Sequence, residues 1–258
     1  MAVSIGATGS VAWVGTTHAS LSGTGTQPRA WNLDIDTDDY DTTVFGNTGG
    51  MTTLPGLYSW GGSFKALLKV PAHGNGGLVV YGSGYVLNAN SYNLTITRSE
   101  FDATVFAVTG PTAKSFAPGL YIANGDFSGF HDNGSTALVK PGVNGTEPAA
   151  ATFKYQEEGT NDGTLGFSIV TNKLSVGSQP NALNTYAYSF KSSGNITQNA
   201  PDAGVPIVPS GALELQAATQ ITLTACTSRT FIGNAFWTRI NLRVVMNQLV
   251  ELEVGFRG

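Results

Sequence analysis

Charge is scarce in this chain. Only 12% of its 258 residues are Asp, Glu, Lys or Arg, about half the share usual for a soluble domain. So little charge predicts a surface covered largely by other protein. The net charge is −4, which argues against a protein that grips nucleic acid, because phosphate neutralisation by cations supplies most of that affinity. An acidic wall can still guide DNA without holding it. There is one cysteine, Cys226, so no intrachain disulfide forms and nothing points to an oxidising compartment. A small buried hydrophobe is the plain reading of that residue. No apolar run reaches the ~20 residues of a membrane helix, so no membrane anchor is expected. The opening residues lack the basic and apolar regions of a signal peptide. The Asn-x-Ser/Thr sites at Asn93, Asn133, Asn144 and Asn195 are therefore read as chance in a chain rich in Asn and Thr.

Catalytic and metal-binding patterns are also missing. No nucleophile elbow and no phosphate-binding loop occurs, so no enzyme activity is expected. His18, His73 and His131 lie far apart without metal-ligand spacing. The run Asp34, Asp36, Asp38, Asp39, Asp41 looks calcium-like. A helix–loop–helix calcium site needs Gly sixth and Glu twelfth, and Asp39 and Phe45 stand there instead. No cofactor or metal is expected.

What is present is glycine, 33 residues of it, and a 41% hydrophobic share sufficient for a core. Alternation of apolar and polar residues dominates. It marks strands at Trp31–Asp36, Tyr92–Thr97, Phe153–Gln156, Tyr186–Phe190, Ile221–Thr224, Ile240–Val244 and Val250–Phe256. Turns are expected at 74–77, 132–134, 141–145, 161–163 and Ser192–Gly194. A short helical turn is expected at Asp38–Asp41, where carboxylates suit a helix N-terminus. Residues 211–219 read as either a short helix or a strand, and prolines between 199 and 210 mark a linker. The fold class is all-β, a sandwich or barrel with little helix, forming one compact unit over residues 1–258.

The chain also reads as internally repeated. Trp31, Leu33 and Ile35 match Tyr92, Leu94 and Ile96, and Tyr40–Phe45 matches Phe101–Phe106, all at an offset of 92 − 31 = 61. Pro55-Gly-Leu-Tyr58 returns as Pro118-Gly-Leu-Tyr121 and Phe64 as Phe127, at an offset of 118 − 55 = 63. The copies span 29–68 and 90–131. A fainter pair, 164–194 and 233–258, aligns Phe167 with Phe236. The order would be a, a′, b, b′, so that two half-units interleave. Pro and Gly together predict a tight turn. The aromatics Phe45, Tyr58, Phe64, Phe106, Tyr121 and Phe127 are expected to pack a hairpin on a second sheet.

The motif formed by Asp41, Thr43 and Phe45, then Pro55, Gly56, Leu57 and Phe64, resembles that of phage tail tube proteins. So does its second copy, Asp102, Thr104 and Phe106, then Pro118, Gly119, Leu120 and Phe127. The closing Glu253–Gly258 resembles the last strand of such subunits. The resemblance covers about 75 residues directly. It implies a structural protein of the virion tail, made in the host cytoplasm. Its partners would be further copies of itself, stacked in rings, together with other tail proteins and DNA passing without tight binding. Members of that family usually carry one copy and form hexameric rings, so two copies per chain imply trimers with pseudo-sixfold symmetry. Asp34 and Asp36, with Thr95 and Thr97, would lie on a polar face that lines the lumen. Two other roles fit the composition. One is a capsid decoration protein. The other is a carbohydrate-binding sandwich using Tyr58 and Trp60 or Tyr81 and Tyr85, although core packing is the simpler use of those rings.

Overall fold

A computed structural model describes residues 10–13, 26–44, 51–68, 79–81, 85–87, 89–105, 113–130, 148–156, 163–199, 219–226, 229–246 and 248–258. Every regular element in them is a strand. In chain order these are β1 (Ser10–Trp13), β2 (Thr26–Asp41), β3 (Thr53–Leu68), β4 (Val79–Tyr81), β5 (Tyr85–Leu87), β6 (Ala89–Asp102) and β7 (Phe116–Phe130). They continue with β8 (Ala149–Gln156), β9 (Gly163–Gly177), β10 (Thr185–Asn199), β11 (Thr219–Cys226), β12 (Arg229–Val245) and β13 (Val250–Arg257). Each alternating stretch named above lies in one of them. The protein is all-β, and its strands form one large antiparallel sheet that is not closed into a barrel.

The sheet runs β2-β3-β13-β12-β6-β7-β10-β9-β8-β4-β5, and β11 branches from β12 to carry β1. Period-two patterning explains its two faces. Along β6, Tyr92, Leu94 and Ile96 are buried while Asn93 and Thr97 are exposed. The buried face gathers aromatics. Phe153 of β8 stacks on Phe190 of β10 at 5.0 Å, meets Tyr92 of β6 at 5.3 Å and lies 6.3 Å from Phe127 of β7. Strand β8 therefore lies across the β6-β7-β10 layer. In the same manner Trp60 of β3 meets Phe231 near the start of β12 at 4.9 Å. Rings packed this way bury large area with favourable edge and offset geometry.

Register irregularities recur at fixed offsets. The β2–β3 ladder shifts at Pro28/Ala30 and at Thr37/Asp39. The β6–β7 ladder shifts at Ala89/Ser91 and at Arg98/Glu100, and 89 − 28 = 98 − 37 = 61. The β12–β13 ladder skips from Trp237 to Arg239 opposite Phe256 and Gly255. The β9–β10 ladder skips from Thr171 to Lys173 opposite Phe190 and Ser189, and 237 − 171 = 256 − 190 = 66. The two skips place Thr171 and Trp237 at like positions in their ladders.

Three local expectations are corrected. Asp38–Asp41 is not a helical turn: β2 continues through it to Asp41, with a bulge absorbing one residue. Pro55-Gly56 and Pro118-Gly119 are not turns either, for they lie inside β3 and β7. Pro55 and Pro118 sit opposite the bulges, at Asp39 and Glu100, where a missing N–H is tolerated. Ser192–Gly194 lies within β10. Gly194 takes φ 80° there, where the β9–β10 ladder breaks between Ser193 and Thr197. The turns expected at 74–77, 132–134 and 141–145, the linker at 199–210 apart from Asn199, Phe45, Phe106 and all three histidines lie outside the described residues, as does 211–218, while Asn199 ends β10 and Thr219 opens β11.

Candidate functional site

The repeated Asp-x-Thr segment closes each long hairpin. Asp41 Oδ1 accepts the Thr43 amide at 2.8 Å, and Thr43 Oγ1 accepts the Thr52 amide at 2.9 Å. In the second hairpin Asp102 Oδ1 accepts the Thr104 amide at 2.9 Å, and Thr104 Oγ1 accepts the Ser115 amide at 2.9 Å. A short polar side chain thus satisfies the backbone where the ladder ends. Both carboxyls are held below their ordinary value, first by the threonine hydroxyl and then by the threonine amide. These residues tie the ends of the hairpins.

The hairpin ends extend past the last ladder pairs that join them to β12 and β13. Strand β13 pairs with β3 only as far as Gly61, and β12 pairs with β6 only as far as Thr97. Beyond those points β2 and β3 pair with each other alone, as do β6 and β7. The two ends touch one another. Lys114 Nζ lies 2.8 Å from Asp38 Oδ2, and the Lys114 amide donates to the Tyr58 carbonyl at 2.8 Å. They carry exposed apolar side chains: Tyr40, Val44, Met51 and Leu54 in one, Phe101, Val105 and Leu120 in the other. Leu120 is 88% exposed, whereas Leu57 at the matching place is half-buried. Of the other motif residues, Phe64 and Phe127 are core residues on adjacent ladders to β13 and β10. Tyr121 accepts the Ile196 amide at its hydroxyl, 3.1 Å away.

Opposite the core lies a continuous polar face. Directly paired residues share a face, so the ladders place Asp34 and Asp36 on the same side as Thr95 and Thr97. Asp34, Asp36 and Thr97 are exposed and Thr95 is half-buried. The same face carries Asp126, Glu251 and Glu253 among Lys65, Lys173, Lys191, Arg239 and Arg243. It is therefore mixed in sign rather than acidic, although the chain as a whole is acidic. Lys65 faces Glu253 at 3.8 Å and Arg243 faces Glu251 at 3.5 Å. Open depressions run along it, one bounded by Lys65, Asn93, Arg239, Asn241 and Glu253, the other by Asp34, Asp36, Arg98 and Arg257.

The rings considered for sugar stacking do not form a platform. Trp60 and Tyr81 are buried, Trp60 against Phe231 and Phe256 and Tyr81 against Phe127 and Tyr188. Tyr58 is exposed, and among the described residues no ring contact with it is seen; the Tyr85 side chain lies outside the described ones. Among the described residues no group of His, Cys, Asp or Glu side chains is placed to hold a metal ion, and no helix is long and apolar enough to cross a membrane.

Sequence reasoning missed two strand edges. Among the described residues β2 pairs only with β3 and forms one end of the sheet, and β5 forms the other. The β8–β9 ladder runs along β9 from Gly163 to Ile169. Their signal in the sequence is an alternating stretch whose apolar positions find no place inside, as Ile35 and Val176 do not. Comparison of the chain with protein-family models, with curated proteins and with solved structures finds no match.

Proposed function

We propose that this chain is a structural subunit of a phage tail tube. It assembles into rings of three chains with pseudo-sixfold symmetry, and the rings stack into a conduit for DNA. The observation that carries the reading is the pair of matched four-strand groups in one open sheet. Strands β2-β3-β13-β12 and β6-β7-β10-β9 follow the same order, with bulges at the same offsets. A sheet with open edges is stable in solution only if the edges are blunted, covered or paired. Pairing them between copies with rotational closure gives a ring, in which each chain supplies two similar sixths of the wall.

The polar face with its depressions suits the lumen. Its cations sit among carboxylates, as Lys65 does beside Glu253 and Arg243 beside Glu251. Passing phosphates then gain little by binding there, so DNA slides rather than sticks. The exposed apolar side chains on the hairpin ends suit contact between stacked rings, since contiguous apolar patches mark interaction sites. The protein acts by assembling and does no chemistry; it needs no cofactor. Its partners are copies of itself and the neighbouring tail proteins.

Negative-stain electron microscopy of the purified protein over a concentration series tests this. Hollow rings or tubes are the expected outcome. A monomer that instead coats empty capsids would replace the tube with a capsid decoration protein.

A further inference from the structure

The ends of the two long hairpins are joined by a contact that has an alternative close at hand. Lys114, just before β7, holds both oxygens of the Asp38 carboxylate, its Nζ lying 2.8 Å from Oδ1 and 2.8 Å from Oδ2. Its amide donates to the Tyr58 carbonyl at 2.8 Å. The β6–β7 end thereby grips both strands of the β2–β3 end. Asp38 is the residue that the β2–β3 ladder skips, between Thr37 and Asp39. Ser99 stands at the same place in the β6–β7 ladder, between Arg98 and Glu100, and its hydroxyl donates to the Leu120 carbonyl of its own hairpin at 3.1 Å. One of these side chains serves its own ladder while the other reaches across. A second carboxylate acts on the same ammonium. Lys114 titrates above its ordinary value, first because Asp38 accepts its hydrogen bond, and further because the charges of Asp38 and Asp102 and the Tyr40 phenol act on it. Asp102 lies at the end of β6, in the hairpin to which Lys114 belongs.

We propose that Lys114 is a two-position latch: on Asp38 it clasps the two hairpin ends together, and on Asp102 it releases them. The side chains of Lys114 and Asp38 are 25% and 41% exposed, and ion pairs so open to water hold weakly. Past the ladders to β12 and β13, each end is a two-stranded ribbon among the described residues. Such ribbons are marginal by themselves, so a small bias shifts the balance between two arrangements. Arg257 of β13 marks the pivot. Its guanidinium lies 4.4 Å over the Phe116 ring of β7, and Nη2 donates to Ser59 Oγ of β3 at 3.3 Å. That contact is kept in both positions. Clasped, the two ends move as one block. Released, the β6–β7 end moves separately, carrying the exposed Phe101, Val105 and Leu120. The latch works within a single chain and goes beyond the assembly proposed above.

Amide exchange followed by NMR on the full chain tests the latch, because release frees the Lys114 amide from the Tyr58 carbonyl. Asp38→Ser brings in a side chain that the other ladder already accepts at Ser99. It should speed exchange at Lys114 about two- to fivefold, the worth of an exposed ion pair. The Thr52 and Ser115 amides, each bonded within its own hairpin, should not change. Asp102→Asn removes the charge of the alternative partner and should slow exchange at Lys114, with Thr52 again unchanged. A fixed brace gives no such slowing, since Asp102 would then only add to the field that holds Lys114 in place. Exchange at Lys114 that ignores Asp38→Ser, that fails to slow in Asp102→Asn, or that rises together with Thr52 and Ser115 would overturn the latch. Each of those results leaves the tube reading untouched.

Discussion

Gly62 and Gly125 sit in the wall for lack of a side chain, not for freedom of φ. A Cβ on Gly125 would meet the Asn93 carbonyl and come within 2.7 Å of the Phe190 ring; on Gly62 it would meet the Asn32 carbonyl and come within 2.8 Å of the Phe256 ring. Each glycine leaves room for an aromatic ring from the neighbouring strand close to the backbone. Gly56 and Gly119 do the same for Tyr40 and Phe101. Gly125→Ala and Gly62→Ala should each lower stability by about 1–3 kcal/mol, the usual cost of overpacking, measured by denaturant unfolding. Gly194→Ala, with open space around it but a positive φ, should cost only the ~1–2 kcal/mol of left-handed strain. That Phe64 and Phe127 pack into the core was legible in the sequence. The reason for the glycines was not. A close approach between Gly125 and Phe190 depends on a ladder partner far along the chain, and local turn chemistry offers a simpler use for Pro-Gly.

Among the elements, the two long hairpins carry a pH dependence at their ends. Asp41 and Asp102 have carboxyl pKa values below the ordinary 3.8 because Thr43 and Thr104 hydrogen-bond the charged form. A depressed pKa stabilises the folded end above the ordinary value and is lost as pH falls through the depressed one. Amide exchange at Thr52 and Ser115, whose amides donate to those threonines, should therefore be slow from neutral pH to about pH 4 and speed up below it, relative to intrinsic rates. Asp41→Asn and Asp102→Asn should flatten that change. Strands were the most legible elements, since alternation in β2, β6 and β13 names their inner faces directly. The helical turn expected at Asp38–Asp41 failed because carboxylates suit a helix N-terminus, yet here Asp38 meets Lys114 across the sheet and Asp39 sits beside a bulge.

For the whole molecule, the strand order brings distant parts of the chain side by side. Strands from the start and end of the chain, β2-β3 and β13-β12, flank strands from its middle, β6-β7 and β10-β9. The low charge has a structural counterpart in edges and hairpin ends that display Ile35, Val176, Met51 and Leu120 to solvent. Under the proposed assembly those residues are covered by other copies of the chain. The mass and shape of the assembled particle therefore test the account most directly. Three chains of 26.8 kDa give 3 × 26.8 = 80.4 kDa. Mass photometry with class-averaged electron micrographs should find six-lobed rings of that mass, or tubes built from them. A single species at 26.8 kDa across all concentrations, or rings with the mass of six chains, would contradict it.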